Sequence, residues 1–151
     1  MKLFRKLRTF GAMGPHKRRL AGEAAMSMLA ARLALALLPF ARIARWMGPF
    51  SEPGSAPAGT GRASPTLVAQ LRAAIATVAP NLPFRSDCLV QALAAQAMCR
   101  RRGIPCTVHM GACPAGVLRE GETHAWSEAC GAPLTGYPLP EGLVEVACFP
   151  S

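Results

Sequence analysis

The chain has 151 residues, enough for one domain with its own core. Half of it is apolar (51%) and only 17% is charged, which excludes wholesale disorder. Net charge is +9, and the whole excess lies in the first 48 residues, where ten Lys or Arg meet one acid, Glu23. Such asymmetry points to an acidic partner: a peptide, a protein, a membrane surface or nucleic acid.

The basic lead of about twenty residues is long for the n-region of an export signal. The longest uninterrupted apolar run, Leu33 to Ala41, has nine residues and contains Pro39. A membrane span needs about 20, so no spanning helix is expected. The expected location is the cytoplasm, with reduced thiols. The six cysteines, at 88, 99, 106, 113, 130 and 148, show no C-x-x-C spacing and no tetrahedral ligand pattern. No metal and no cofactor is expected.

In chain order, residues 17–47 carry an apolar stripe at helical spacing: Leu20, Ala24, Met28, Ala31, Leu35 and Leu38. Pro39 breaks this helix, and a short basic helix follows and stops at Gly48. Packing on the core is favoured over a basic amphipathic surface for a membrane. The residues at 49–65 are a Pro, Gly, Ser and Ala linker. Helix resumes at Pro65 with Ser64 as N-cap and runs to Pro80. The next helix spans Cys88 to Arg102, is capped by Asp87 or Ser86, and ends at Gly103.

Strands are expected at 104–112 and 117–129. After a turn at 130–133, the segments 134–137 and 143–149 complete an antiparallel set. The fold class is therefore α+β. A helical N-terminal half precedes a core in which a Cys-bearing helix packs on a small antiparallel sheet. The organisation reads as a basic helical region (1–48), a linker (49–64) and a core (65–151).

Two residues carry candidate chemistry. Cys88 opens a helix, where partial positive charge and free N–H groups favour a thiolate. Its own N–H faces any oxyanion forming beside it, and Asn81 is a candidate second donor. His124 lies in a strand and is the candidate base: it takes the thiol proton and returns it to a leaving amine. Trp126 is placed to shield the pair from water. The bland alternatives are a buried thiol at Cys88 and His109 as the competing histidine.

The motifs Cys88-Leu89, Arg100 to Ile104 and His124-Ala125-Trp126-Ser127-Glu128, followed by Gly131, resemble those of the transglutaminase-like leader peptidases of lasso peptide biosynthesis. The stretch LLPFARIARWMG also resembles the helical lead-in of that family. The resemblance implies a papain-like cysteine peptidase with Cys88 as nucleophile and His124 as base. It implies a lasso precursor peptide as substrate, a separate leader-binding partner protein, and an ATP-dependent lasso cyclase acting next. It implies no nucleic acid, and membrane contact is the less favoured reading. Two other readings stay open: another acyl transfer on the same fold, and a non-catalytic adaptor that holds precursor or cyclase.

The sequence departs from that family in two places. Val90, Gln91 and Ala92 follow Cys-Leu where Pro-Arg-Ser is usual. The family's triad Asp falls on Gly136, which has no carboxylate. The orienting group is then expected to be a backbone carbonyl near Gly136, the Thr135 hydroxyl, or Glu141. Glu128 is too far along the strand to serve, and Gly136→Asp is expected to leave activity unchanged or raise it.

Overall fold

The computed structural model describes residues 14–55, 63–113 and 123–151. Lys2, Arg5, Lys6 and Arg8, the middle of the linker, and the approach to the His124 strand lie outside the described residues. The chain runs through helices α1 (Pro15–Leu37), α2 (Phe40–Met47), α3 (Pro65–Val78) and α4 (Cys88–Arg100), with a 3-10 turn at Ala79–Asn81. Strands β1 (Cys106–Ala112), β2 (Thr123–Ala129), β3 (Ala132–Thr135) and β4 (Val144–Pro150) follow. This is the expected α+β arrangement.

The α1 stripe packs as its spacing dictates. Leu20, Ala24, Met28 and Ala31 are buried in one cluster with Leu71, Ile75 and Val78 of α3 and Ala94, Ala95 and Met98 of α4. Truncating a fully buried Met28 or Leu71 to alanine costs about 2–5 kcal/mol at such sites. Pro39, which lacks an N–H, sits at the N-cap of α2. Gly48 ends α2 with φ +133, and a Cβ there would lie 2.1 Å from the Pro150 carbonyl oxygen. Only glycine lets α2 abut the end of β4.

The helix Pro15–Leu37 is long and apolar enough to cross a membrane by length and composition, with a mean hydropathy of 1.5 over its best window. Its leucines and alanines raise the mean although Glu23 and Arg32 interrupt the run. Its inner face is part of the shared core. Its outer face leaves Met26, Leu33 and Leu37 at least half exposed.

The four strands form one antiparallel sheet in the order β3-β2-β1-β4. The helices cover one face, where Val108, Ala125 and Phe149 meet Ala92 of α4. Strand alternation therefore sends His109, His124, Trp126 and Glu128 to the opposite side. A tight turn at Cys130 and Gly131, both at positive φ, joins β2 to β3. Glu23 of α1 ties down the far end of α4, accepting from Arg101 at 3.0 Å and from Arg102 at 2.8 and 2.6 Å.

Candidate active site

Cys88 is the first residue of α4, and Asp87 occupies the N-cap position without a side-chain cap bond. The first helical hydrogen bond of α4 runs from the Gln91 N–H to the Asp87 carbonyl. The N–H groups of Cys88, Leu89 and Val90 therefore precede the ladder and face whatever lies ahead of the helix. Asn81 is not a second donor to this space. Its amide donates to the Thr77 carbonyl at 2.7 Å, closing the end of α3. Ser86 likewise donates to Ala79, and Gln91 to Ser86.

His124 reaches the same place from the sheet. The β2–β3 pairing ends at Ser127↔Thr135. Past that point the Ala125 N–H donates to the Cys88 sulfur at 3.4 Å. This contact strengthens as the sulfur gains negative charge. The residue beside Ala125 is His124, so the start of β2, which carries the imidazole, lies against the N-terminus of α4, which carries the thiol. Among the described residues the two side chains are not hydrogen-bonded to each other. Ala125 is the link between them.

The His124 ring is held by the Gly136 backbone carbonyl, 2.7 Å from Nε2. A carbonyl only accepts, so the proton is on Nε2. That leaves the Nδ1 lone pair as the basic position. Of the three expected orienters, the carbonyl near Gly136 is the one in place. The Thr135 hydroxyl pairs with Ser127 at 2.8 Å, and Glu141 is exposed.

The geometry argues against the tolerance expected for Gly136→Asp. Gly136 has φ +82, and a Cβ there would sit 2.5 Å from the Ala125 carbonyl oxygen and 2.6 Å from the Trp126 Cβ. The approach that delivers the carbonyl to His124 leaves no room for a side chain.

The neighbours of the pair are already engaged. Glu128 accepts a hydrogen bond from the Tyr137 hydroxyl and makes none to His124. Burial and the Glu128 carboxylate push the Tyr137 phenol well above its ordinary range. His109, the competing histidine, bonds Glu145 through Nδ1 at 2.5 Å. Trp126 is buried and stacks on both histidines. A cavity of about 140 Å³ opens beside Gly136, walled by Arg72, Gln91, Thr135 and Tyr137. A larger one, about 410 Å³, lies between α1, α2 and α4 and is lined by Ile43, Trp46 and Leu93.

The transglutaminase-like superfamily model matches residues 34–147. The chain belongs to the transglutaminase-like superfamily. This superfamily includes cysteine peptidases and acyl transferases and is typically enzymatic. No curated protein and no solved structure matches the chain. The matched stretch of this transglutaminase-like chain starts within α1 and takes in Cys88, His124 and Gly136.

Sequence reasoning missed two groups here. Glu145 and the Ala125 N–H gave no local signal. Both depend on which strands are neighbours: alternation alone would put Glu145 with Ala147 and Phe149 on the helix side, and the register shift between Met110 and Gly111 turns it to the face of His109.

Proposed function

We propose that this transglutaminase-like protein is a cysteine peptidase that removes the leader from a ribosomally made lasso peptide precursor. The observation that carries the reading is the His124 hydrogen bond to Gly136, which leaves Nδ1 as the basic nitrogen on a strand whose next residue, Ala125, donates its N–H to the thiol at the α4 N-terminus. The lasso assignment is supported by the Cys-Leu, Arg-Arg-Arg-Gly-Ile and His-Ala-Trp motifs.

In this mechanism His124 Nδ1 takes the Cys88 proton as Sγ attacks the scissile carbonyl. The oxyanion is met by the free N–H groups at the start of α4, Cys88 first. The tetrahedral intermediate collapses, and His124 returns the proton to the leaving amine. Water then attacks the thioester with the same imidazole as base, releasing the acid and restoring the thiol. The thiol–imidazole pair needs no cofactor for any of these steps.

The cytoplasm suits a nucleophile that must stay reduced. A leader-binding partner would present the precursor, and an ATP-dependent cyclase would take the freed core peptide. The basic N-terminal region would dock the acidic or leader-bearing partner. That contact should weaken with salt, because exposed charges are screened beyond about 10 Å at 0.1 M.

The test is precursor cleavage followed by mass spectrometry, with and without the partner, for wild type, Cys88→Ala and His124→Ala. Cleavage by the wild type, lost in both folded variants, supports the reading. Continued cutting by Cys88→Ala would remove the nucleophile assignment. A wild type that holds the precursor without cutting it is an adaptor. With methylamine present, an amide product in place of the acid would mark an acyl transferase.

A further inference from the structure

One hydrogen bond fixes the direction in which the His124 ring points. It does not fix how the ring is turned about that bond. A carboxylate orienter would add charge and a second acceptor oxygen, but Gly136 supplies only a neutral carbonyl. Something else must set the ring plane if Nδ1 is to stay aimed at one target.

The structure supplies a stack. The His124 ring lies 6.3 Å from Trp126, centroid to centroid, with 18° between planes. Trp126 lies 5.2 Å from His109, with 7° between planes. The His109–Trp126 contact is fixed by strand register, since the two residues face each other across β1 and β2. Flat offset contacts between rings restrict tilt, which a single hydrogen bond leaves free.

The His109 ring is itself anchored. Its Nδ1–H donates to Glu145 Oε1 at 2.5 Å, and Glu145 Oε2 accepts the Gly54 N–H at 3.2 Å. The second nitrogen of His109, Nε2, is buried with no partner among the described residues. A buried unpaired polar atom destabilises a fold. A residue that merely filled this space would do better as leucine or phenylalanine. The same enclosure keeps His109 from acting as a base on a substrate, because neither nitrogen is open. What the imidazole supplies that a hydrocarbon would not is the bond to Glu145, which sets the ring parallel to Trp126.

We propose that His109 and Glu145 are positioning residues for His124: Glu145 orients His109, His109 holds the Trp126 indole, and Trp126 holds the His124 ring with Nε2 on Gly136 and Nδ1 free. This rests on His124 being the base of the proposed reaction. A carboxylate–imidazole pair thus serves the site at one remove, through an aromatic ring, with no acid bonded to His124 among the described residues.

The test reads the ring directly. Long-range proton–nitrogen correlation spectra of protein labelled with 15N-histidine report the tautomer of each imidazole, with His124→Gln and His16→Gln fixing the assignments. The wild type should show His124 protonated at Nε2 alone. Glu145→Ala should mix the two tautomers and slow iodoacetamide alkylation of Cys88 roughly tenfold, the scale of a small misplacement at a reacting pair. Glu145→Gln keeps an oxygen that accepts from His109 and should restore both readouts, which a purely structural role for the charge would not predict. If Glu145→Ala does not fold, His109→Phe replaces it. That variant keeps the ring and its volume, loses only the Glu145 bond, and should give the same mixed tautomers and slowed alkylation. An unchanged His124 tautomer in a folded variant overturns the positioning inference. A mixed tautomer with an unchanged alkylation rate supports the positioning and instead overturns His124 as the base for Cys88.

Discussion

The His124 Nε2–H donates to the backbone carbonyl of Gly136 across 2.7 Å, in the place where a triad acid would stand. A triad acid sets the tautomer and stabilises the imidazolium as it forms. The carbonyl does the first of these by geometry, since it can only accept. It contributes a dipole in place of a full charge to the second. A cysteine enzyme tolerates this better than a serine enzyme, because its thiol gives up a proton more readily.

Gly136→Ala should therefore damage both fold and site. The new Cβ would lie 2.5 Å from the Ala125 carbonyl oxygen, and the residue sits at φ +82. The left-handed conformation alone costs about 1–2 kcal/mol for a residue with a Cβ, and the clash adds to it. Moving the carbonyl releases His124, so cleavage should fall by about a hundredfold. Gly136→Asp should behave in the same way, without the gain that an added acid would suggest. Urea melts and cleavage rates check this, and a stable, active Gly136→Asp would show that the backbone has room the structure denies it.

The six thiols should separate by burial. Cys99, Cys106 and Cys148 are buried, whereas Cys88, Cys113 and Cys130 are half-buried. The hydrogen bond to Cys99 and burial push the Cys106 thiol far up. Iodoacetamide at neutral pH should modify Cys88 first, then Cys113 and Cys130, and reach the buried three only on unfolding. Mass spectrometry of a labelling time course reads the order. Equal rates at Cys88, Cys113 and Cys130 would mean that nothing in the site activates the thiol.

The α+β class and the positions of Cys88 and His124 could be read from local pattern. The stripe from Leu20 to Ala31 has one period, the strands have another, and Gly103 and Gly131 mark their breaks. The partners of those two residues could not be read, because they are set by pairing between distant segments. Glu145 reaches His109 only because β4 lies against β1 and not beside β3, with a register shift between Met110 and Gly111. The sequence shows Gly136 as a missing acid, but not as a close approach of backbone to β2. Asn81 illustrates the converse: a polar side chain ahead of Cys88 was open to several partners, and the nearest helix end took it. The outer face of α1 is hidden in the sequence because Glu23, Ser27 and Arg32 interrupt the apolar run that Met26, Leu33 and Leu37 belong to.

Glu128→Gln should leave cleavage near the wild-type rate. Glu128 accepts from Tyr137 and does not touch His124, and a glutamine oxygen can still accept. Tyr137→Phe should cost about 1 kcal/mol of stability, the usual net worth of such a bond. A Glu128→Gln protein as inactive as His124→Ala, yet folded, would place a carboxylate in the mechanism that this geometry excludes.

The last prediction concerns pH and the helix that carries Cys88. Glu23 accepts from Arg101 and twice from Arg102, so the far end of α4 is clamped to α1. The hydrogen bond from Arg102, followed by the charges of Arg102 and Arg101, holds the Glu23 carboxyl below its ordinary value of 4.5, against the opposing effect of burial. A depressed folded value means that the ionised form favours the native state. The contribution is present in full above the unfolded value and is lost as pH falls through the lower folded one. Arg102 is shifted upward by the same contact and stays charged throughout. Glu23→Gln should cost about 1 kcal/mol at neutral pH, a figure discounted for the partial exposure of the pair. As pH falls below the ordinary carboxyl value and wild-type Glu23 itself becomes protonated, the two proteins should converge. Urea midpoints of wild type and Glu23→Gln across that range measure the gap. A difference that persists unchanged at low pH would assign the effect of residue 23 to packing between α1 and α4, not to its charge.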